Sequence, residues 1–261
     1  MNRDVILVIN KSLNSKIITE LILSKVSIER IIVVKESNSD KIIDKFKRDL
    51  ASTKSIERIL LPINYIILII FNFYTKGRLR NLSRQKNNQK NEKIMVEGFK
   101  FQNINSKDFI EFINKKDKAL IFNFGTSIYT KATLLSIKHE ILNIHTGVLP
   151  AYRNVYSEFW ALKNKDYSNV GTTIFKIDDK IDQGTIVSKE RLAELQVVGV
   201  PFYKVVYSNL DLASDMVCRI VNSITSISRK DSNEISGYYK TPGAADIIRL
   251  LIEKFTSNFI K

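Results

Sequence analysis

The chain has little of the material from which disulfides and Cys–His metal sites are built. It contains one cysteine, Cys218, and two histidines, His139 and His145, in 261 residues. A single cysteine excludes a disulfide within the chain, and a zinc site made of cysteine and histidine needs more of both residues. We therefore expect no metal in the functional site, and we interpret Cys218 as a buried apolar side chain.

Long hydrophobic runs are also missing. The most apolar stretch, residues 59–73, is interrupted by Pro62 and Asn64 and is shorter than the roughly 20 residues that a membrane span needs. We expect a helix here that is buried or faces a partner, with a membrane-surface helix as the alternative. The first apolar run ends at Ile9 and is too short for a signal peptide, so the expected location is the cytoplasm.

Acidic residues are outnumbered: 27 Asp and Glu stand against 41 Lys and Arg, and the formal net charge is +14. Residues 76–93 hold seven basic side chains and one acidic one. The polar, low-complexity composition of residues 78–93 predicts a mobile loop, and Gly77 is expected to end the helix before it. A positive surface of this kind favours phosphorylated or polyanionic partners.

Strand and helix patterns alternate along the chain. Short apolar runs predict strands at residues 5–9, 31–34, 95–101, 119–124 and 141–144, and a β pair at 171–177 and 184–189. Amphipathic stretches predict helices that begin near Ser12, Asp40, Ser106 and Lys131, then at 202–224 and 248–259. This order predicts an α/β domain with a mainly parallel sheet over residues 1–190 and a smaller, mostly helical part over residues 191–261.

The strongest chemical signal lies in residues 142–184. Asn143 and His145 are two residues apart behind an apolar lead-in, so on a strand their side chains point to the same face. Residues 147–150 then turn the chain away, so that the pair borders a loop. An amide beside an imidazole suits chemistry on a carbonyl, because one group can donate to a developing negative charge while the other carries a proton.

This region resembles the formyltransferase family, whose members move a formyl group from 10-formyltetrahydrofolate to an amine. The resemblance covers residues 119–187. It is carried by the motif Asn143-x-His145-x-Gly147-x-Leu149-Pro150-x-Tyr152-Arg153, and later by Gly171-Thr172-Thr173-Ile174 and Asp178-x-x-x-Asp182-x-Gly184. It implies a Rossmann-like catalytic domain, 10-formyltetrahydrofolate as the formyl donor, no metal, and a catalytic trio of Asn143, His145 and Asp182.

The residue types of the trio suit the reaction. When an amine attacks the formyl carbonyl, an oxyanion develops, and a side-chain donor such as Asn143 or protonated His145 typically lowers the barrier by about 3 kcal/mol. A carboxylate at Asp182 can stabilise the protonated histidine and help to relay the proton that the attacking nitrogen loses. Asp182 alone, ahead of a Gln-Gly pair, would more often be a turn residue.

The resemblance also implies where the two substrates bind. The residues expected along the folate are Gly125, Ser127, Ile128, Tyr129, Asp178 and Asp179. Tyr152 and Arg153 are expected to meet the phosphate or sugar of the acceptor, although an arginine here could equally form a surface ion pair.

Two departures from the family pattern bear on the acceptor and on the turn after the motif. Asn154 stands where the family usually has glycine, and because asparagine tolerates a left-handed backbone next best, the turn is expected to survive. Residues 10–15 lack the glycine-rich phosphate turn of the family member that acts on glycinamide ribonucleotide. Their composition therefore counts against that substrate.

Three functions remain open. We favour N-formylation of a nucleotide-linked (dTDP-type) amino deoxysugar for O-antigen or a related surface polysaccharide, by a homodimer. The apolar C-terminal stripe Ile248, Leu251, Phe255 and Phe259 would suit a dimer contact, and packing in the core would explain it equally well. Formylation of methionyl-tRNA would suit the positive charge. However, that family member carries a C-terminal β-barrel, and residues after 200 have a helical pattern, so no nucleic acid is expected. The third is a non-catalytic, basic or membrane-surface module, motivated by residues 59–73 and 76–93.

Overall fold

The computed structural model describes residues 4–35, 55–87, 97–222 and 236–256. Its strands, in chain order, are β1 Asp4–Asn10, β2 Arg30–Val34, β3 Glu97–Phe101, β4 Ala119–Phe124, β5 Glu140–His145, β6 Arg153–Asn154, β7 Gly171–Lys176, β8 Ile186–Arg191 and β9 Tyr238–Tyr239. Its helices are α1 Leu13–Leu23, α2 Ser55–Asn87, α3 Lys107–Asn114, α4 Lys131–Ser136, α5 Ser157–Lys163, α6 Phe202–Asn222 and α7 Ala244–Thr256. The helix predicted from Asp40 lies outside the described residues.

A seven-stranded sheet, in the order β3-β2-β1-β4-β5-β7-β8, forms the centre of the fold. The first five strands of that order are parallel, while β7 pairs antiparallel with both β5 and β8. The central strand β1 is apolar on both faces, and its residues Ile6, Leu7 and Val8 are fully buried, as expected for a strand with helices on both sides. The predicted α/β fold with a mainly parallel sheet is confirmed.

The residues after 190 are mostly helical in the described ranges, as predicted. Helix α6 packs on α1 and β7, and its buried residues Val206, Leu210 and Met216 belong to the same apolar cluster as Leu7 of β1. The buried residues Val206, Leu210, Ala213 and Val217 follow one another at intervals of four, three and four residues, which places them along one stripe of the helix. The division of the chain near residue 190 stays a prediction.

The prediction of a loop after residue 77 is wrong as far as residue 87. Helix α2 runs from Ser55 through Gly77 to Asn87 without a break. The helix continues because its second half has a packing partner: Leu79 and Ser83 are buried, and the charged ends of Arg78 and Lys86 lie over the rings of two tyrosines of α6. Residues 88–93 of the predicted loop are not among those described.

Candidate active site

One strand and one loop bring the predicted trio to the edge of the sheet at which the parallel strands have their carboxyl ends. Asn143 and His145 lie on β5, and Asn143 pairs with Asn123 of β4 in the strand register. Strand β7 lies on the other side of β5, with Thr173 opposite His145. The connection from β7 to β8 then returns past the same edge and carries Asp182. Asp182, which is distant in the sequence, is thus brought beside Asn143 and His145 where strand β5 ends.

The imidazole of His145 is fixed at one nitrogen and turned toward a carboxylate at the other. Its Nε2 lies 2.8 Å from the carbonyl oxygen of Tyr152. A carbonyl can only accept, so Nε2 carries a proton and donates it. The other nitrogen, Nδ1, lies 4.0 Å from Oδ2 of Asp182. In the neutral ring Nδ1 therefore has the free lone pair, and it is the atom that can take up and return a proton.

Asp182 is held by the backbone of the turn that follows the motif. Its Oδ2 accepts a hydrogen bond of 2.7 Å from the backbone N–H of Asn154. Asn154 itself has a φ of +78° and donates from its side chain to the carbonyl of Tyr239 at 2.7 Å. The turn predicted to survive without glycine does survive, in the left-handed conformation that asparagine tolerates. It positions the carboxylate beside the imidazole.

The amide of Asn143 has a fixed orientation that sequence reasoning missed. Its Oδ1 accepts a hydrogen bond of 2.8 Å from Nδ2 of Asn123. The Oδ1 of Asn123 accepts in turn from Thr126 Oγ1 at 2.7 Å and from the hydroxyl of Tyr129 at 3.2 Å. Burial raises the pKa of Tyr129, so that its hydroxyl stays protonated and donates. The network leaves the NH₂ group of Asn143 available as a donor. The only signal for it was a buried asparagine in an apolar strand.

A cleft beside this edge brings most of the predicted folate residues together. It has about 500 Å³ of space that opens to solvent. Of the predicted contacts, Ser127, Ile128, Tyr129, Asp178 and Asp179 line it, together with Asn143 and Asp182 of the trio. Gly125 is not among its lining residues: it forms the turn at the end of β4, with a φ of +69°. The resemblance implies the whole segment 178–182 at this pocket, and Ile181 of that segment lines the cleft, whereas the apolar walls Phe175 and Ile177 were not predicted.

Gly147 and the residues that hold its loop have roles that the motif alone did not reveal. A Cβ at position 147 would lie 2.5 Å from Nε2 of His145 and 2.6 Å from Oγ of Ser157, so only glycine fits. The hydroxyl of Thr173 donates to the carbonyl of Gly147 at 2.8 Å and accepts from the N–H of Leu149 at 3.0 Å. Strand β7 therefore clamps the loop that passes over the histidine.

The two residues predicted to bind the acceptor occupy different environments. The ring of Tyr152 is buried, stacks on Tyr239 at 5.0 Å, and its hydroxyl donates to Asp166 at 3.0 Å. The part of Tyr152 that contributes to the site is its backbone carbonyl, which accepts the hydrogen bond from His145, and not its ring. The guanidinium carbon of Arg153 lies 6.0 Å from the ring centroid of Tyr238, and its buried Nε has no hydrogen-bond partner among the described residues. Their contacts with an acceptor stay predictions.

A second carboxyl group lies behind the histidine. Glu158 is only 8% exposed, and burial raises its pKa. Its Oε1 accepts a hydrogen bond of 3.0 Å from Nδ2 of Asn209, whose Oδ1 accepts from the hydroxyl of Thr172 at 2.8 Å. This chain of bonds links α5, α6 and β7 beneath the site.

Among the residues described, no cluster of three His, Cys, Asp or Glu side chains could hold a metal ion. The polar groups of the trio are an amide, an imidazole and a carboxylate, and the cleft beside them has both polar and apolar walls. Such a cleft suits a flat organic molecule with polar edges.

The family model for formyl transferase matches residues 66–196, which is 131 of the 261 residues. The chain belongs to the formyl transferase family. The match contains all of the predicted trio, the loop of Gly147 and the lining of the cleft. It begins within α2, so residues 1–65 are assigned to the fold by the structure rather than by the family model.

Curated relatives match only part of this chain. It is 34% identical to the methionyl-tRNA formyltransferase of Flavobacterium psychrophilum over 102 residues, 38% of this chain and 32% of that protein. It is 30% identical to the GDP-perosamine N-formyltransferase of Brucella melitensis over 90 residues, 34% of each chain. The chain thus spans about a third of the length of the curated relatives it matches.

Solved structures match the formyl transferase over most of its length. A sugar N-formyltransferase from a Shewanella species has a TM-score of 0.53 and 14% identity, with 95% of this chain and 87% of that chain covered. A 4-N formyltransferase from Francisella tularensis has a TM-score of 0.51 and 16% identity, covering 90% and 76%. At these identities the likeness establishes the fold, which is that of the formyltransferases.

Proposed function

We propose that this chain is an N-formyltransferase that moves a formyl group from 10-formyltetrahydrofolate to the amine of a nucleotide-linked amino sugar. The single observation that carries the proposal is the convergence of Asn143, His145 and Asp182 beside one cleft. An available amide donor, an imidazole with a free nitrogen and a carboxylate are what amine attack on a formyl carbonyl requires.

The chain's own residues divide the work as follows. The NH₂ group of Asn143, oriented by Asn123, donates to the oxyanion that develops on the formyl oxygen. Nδ1 of His145 accepts the proton that the attacking amine loses. The carboxylate of Asp182 stabilises the imidazolium, which can return the proton, directly or through water, to the nitrogen that the formyl group leaves.

The cleft suits a folate as the formyl donor. Phe175, Ile177 and Ile181 give it apolar walls, and Asp178 and Asp179 add polar groups at its rim. When bound, 10-formyltetrahydrofolate supplies the formyl group as an activated amide. We infer that residues 127–129 and 178–182 hold its pterin, as the family resemblance implies.

Three observations support a sugar acceptor. The similar structures at TM-scores above 0.5 include a sugar N-formyltransferase that shares 95% of this chain's length, and a GDP-perosamine N-formyltransferase is among the sequence relatives. Arg153 also has a buried Nε without a described partner, which suits the phosphate of a nucleotide-linked sugar. A dTDP-type nucleotide, a role in O-antigen synthesis, a homodimeric state and a cytoplasmic location stay predictions.

The test is transfer of the formyl group to a panel of acceptors. The protein is incubated with 10-formyltetrahydrofolate and with dTDP- or GDP-linked 3-amino and 4-amino deoxysugars, while tetrahydrofolate release and the formamide product are followed. We expect turnover with at least one sugar and none with methionyl-tRNA. Formylated methionyl-tRNA as the product would instead assign the function of the Flavobacterium relative, and binding of the folate without any turnover would contradict the proposal.

A further inference from the structure

The outward face of α2 is apolar in its first half and basic in its second. Every third or fourth residue from 63 to 84 falls on one stripe of the helix. That stripe, here called the α2 stripe, consists of Ile63, Ile66, Ile70, Phe73, Gly77, Arg80 and Arg84, all of which are exposed. Neither the trio nor the cleft uses any of these residues, so the active site does not explain the α2 stripe.

The apolar part of the stripe is large and unusually open. Ile66 is 55% exposed, Ile70 61% and Phe73 81%. Single exposed apolar residues are normal on a protein surface, but a contiguous row of large ones marks a contact surface. The opposite face of the same helix, with Leu68, Phe71 and Leu79, is buried against the rest of the fold. The exposed row is therefore not part of the buried core that stabilises the fold.

After Glu57, the charged side chains of α2 have one sign. Residues 58–91 contain seven Lys or Arg and no Asp or Glu. Arg78 and Lys86 lie over tyrosine rings of α6, but Lys76, Arg80 and Arg84 are exposed and form no ion pair with a described residue. The exposed charges that α2 places next to the apolar row are thus all positive, which favours an anionic partner.

The order of residue types along the face matches a lipid interface. Isoleucines come first, the exposed aromatic residues Phe73 and Tyr74 follow, and Lys76, Arg80 and Arg84 come last. Aromatic rings prefer the boundary between hydrocarbon and headgroups, and basic side chains prefer anionic headgroups. None of the described helices is long and apolar enough to cross a membrane, so the contact would lie on the surface.

A second copy of the chain fits the stripe less well. In a parallel pair of α2 helices, Arg80 and Arg84 would face their own counterparts. In an antiparallel pair they would extend along a helix that has no acidic residue between 58 and 91. Like charges at a self-contact oppose association, whereas an anionic lipid surface satisfies both halves of the stripe at once.

We propose that the α2 stripe docks the protein on an anionic membrane surface, with Ile66, Ile70 and Phe73 at the hydrocarbon edge and Arg80 and Arg84 on the headgroups. Binding of this kind combines apolar burial with electrostatic attraction, so it depends on both halves of the stripe and on ionic strength. The proposal is independent of the formyl acceptor.

The test is sedimentation of the full chain with vesicles. We expect binding to vesicles of phosphatidylcholine with 30% phosphatidylglycerol, at least tenfold weaker binding to phosphatidylcholine alone, and loss of binding as salt is raised. The double variants Ile70→Gln/Phe73→Gln and Arg80→Gln/Arg84→Gln should each bind the anionic vesicles at least tenfold more weakly. All of the replaced side chains are exposed, so circular dichroism should show an intact fold.

A matched control removes two leucines elsewhere whose side chains are at least as open to solvent as the pair Ile70 and Phe73. Leu135 is 79% exposed and Leu195 91%, and Leu135→Gln/Leu195→Gln should bind like the wild type. The proposal is overturned if the wild type does not bind anionic vesicles at low salt, or if the control variant loses binding as strongly as the stripe variants. It is also overturned if Ile70→Gln/Phe73→Gln converts a dimer to a monomer in sedimentation velocity while vesicle binding is unchanged, because the stripe then holds a second copy.

Discussion

The active site at the carboxyl end of β5 and the outer face of α2 differ in whether their side chains have bonding partners within the chain. At the edge, the functional side chains are held by named partners: Asn143 by Asn123, His145 by the carbonyl of Tyr152, and Asp182 by the N–H of Asn154. On the α2 stripe, large apolar and basic side chains are exposed. The first region is pre-organised for a reaction. The second region presents its side chains to a binding partner outside the chain, which we propose to be an anionic membrane surface.

The largest expected effect is at the edge. Replacing His145 with asparagine removes the nitrogen that exchanges protons, and we expect kcat for formyl transfer to fall by about 10³-fold, within the range of general acid–base contributions. The fold should be intact by circular dichroism. His139→Asn is the matched control, since that histidine is remote from the site and its Nδ1 accepts only a long bond of 3.4 Å from Ala119. Similar losses in both variants would show that the edge is not the site.

Gly147→Ala tests whether catalysis tolerates a shift in the position of His145. The new Cβ would collide with Nε2 of His145 and Oγ of Ser157. We expect a loss of about 100-fold in kcat/KM, the cost of moving a catalytic group by roughly 1 Å. Gly98→Ala on β3, where nothing lies within 4 Å of the added carbon, should leave the rate within about twofold. Equal rates for both variants would contradict the close packing over the histidine.

Asn123→Asp tests the orientation of Asn143. An ionised carboxylate at 123 cannot donate to Oδ1 of Asn143 and instead accepts from its NH₂ group, turning the amide round. We expect kcat to fall about tenfold with little change in KM for the formyl donor, less than the roughly 10²–10³-fold cost of removing a donor outright. Tyr129→Phe, which removes one of two donors to Asn123, should have a smaller effect. A change confined to KM would assign Asn123 to binding.

Gly77→Ala tests the helix of α2. Gly77 lies mid-helix with nothing within 4 Å of an added Cβ, so alanine should raise the free energy of unfolding by about 0.5–1 kcal/mol. If residue 77 ended a helix in the left-handed conformation, as the sequence suggested, the same change would destabilise the protein. Urea unfolding of the two proteins decides between the outcomes.

Glu158→Gln gives the smallest effect, and it depends on pH. Burial raises the pKa of Glu158 in the folded state, so the stability it contributes is complete below its unfolded pKa and is lost as pH rises through the folded value. Glutamine keeps the oxygen that accepts from Asn209 and cannot ionise. The melting temperature of the variant relative to the wild type should therefore increase from pH 5 to pH 8. A constant difference would contradict the buried position of the carboxyl.

The same two regions show what could be predicted from sequence. Asn143 and His145 were found because two residues on one strand have a fixed relation, and Asp182 because a family motif carried it. Asn123 was missed, since its partner is set by the register of β4 against β5 rather than by local spacing. The second half of α2 was missed for a related reason. Its composition resembles a loop, and only packing of Leu79 and Ser83 against the core stabilises the helix.

The central claim is that Asn143, His145 and Asp182 form an active site for formyl transfer. A single-turnover experiment with a ¹³C-formyl donor tests this claim most directly. We predict that the wild type forms a ¹³C-formamide on a nucleotide-linked amino sugar, and that Asp182→Asn slows this step by about 100-fold while the Kd for the sugar is unchanged. Formation of the formamide at an equal rate in both proteins, or a loss confined to the affinity for the sugar, would contradict the account.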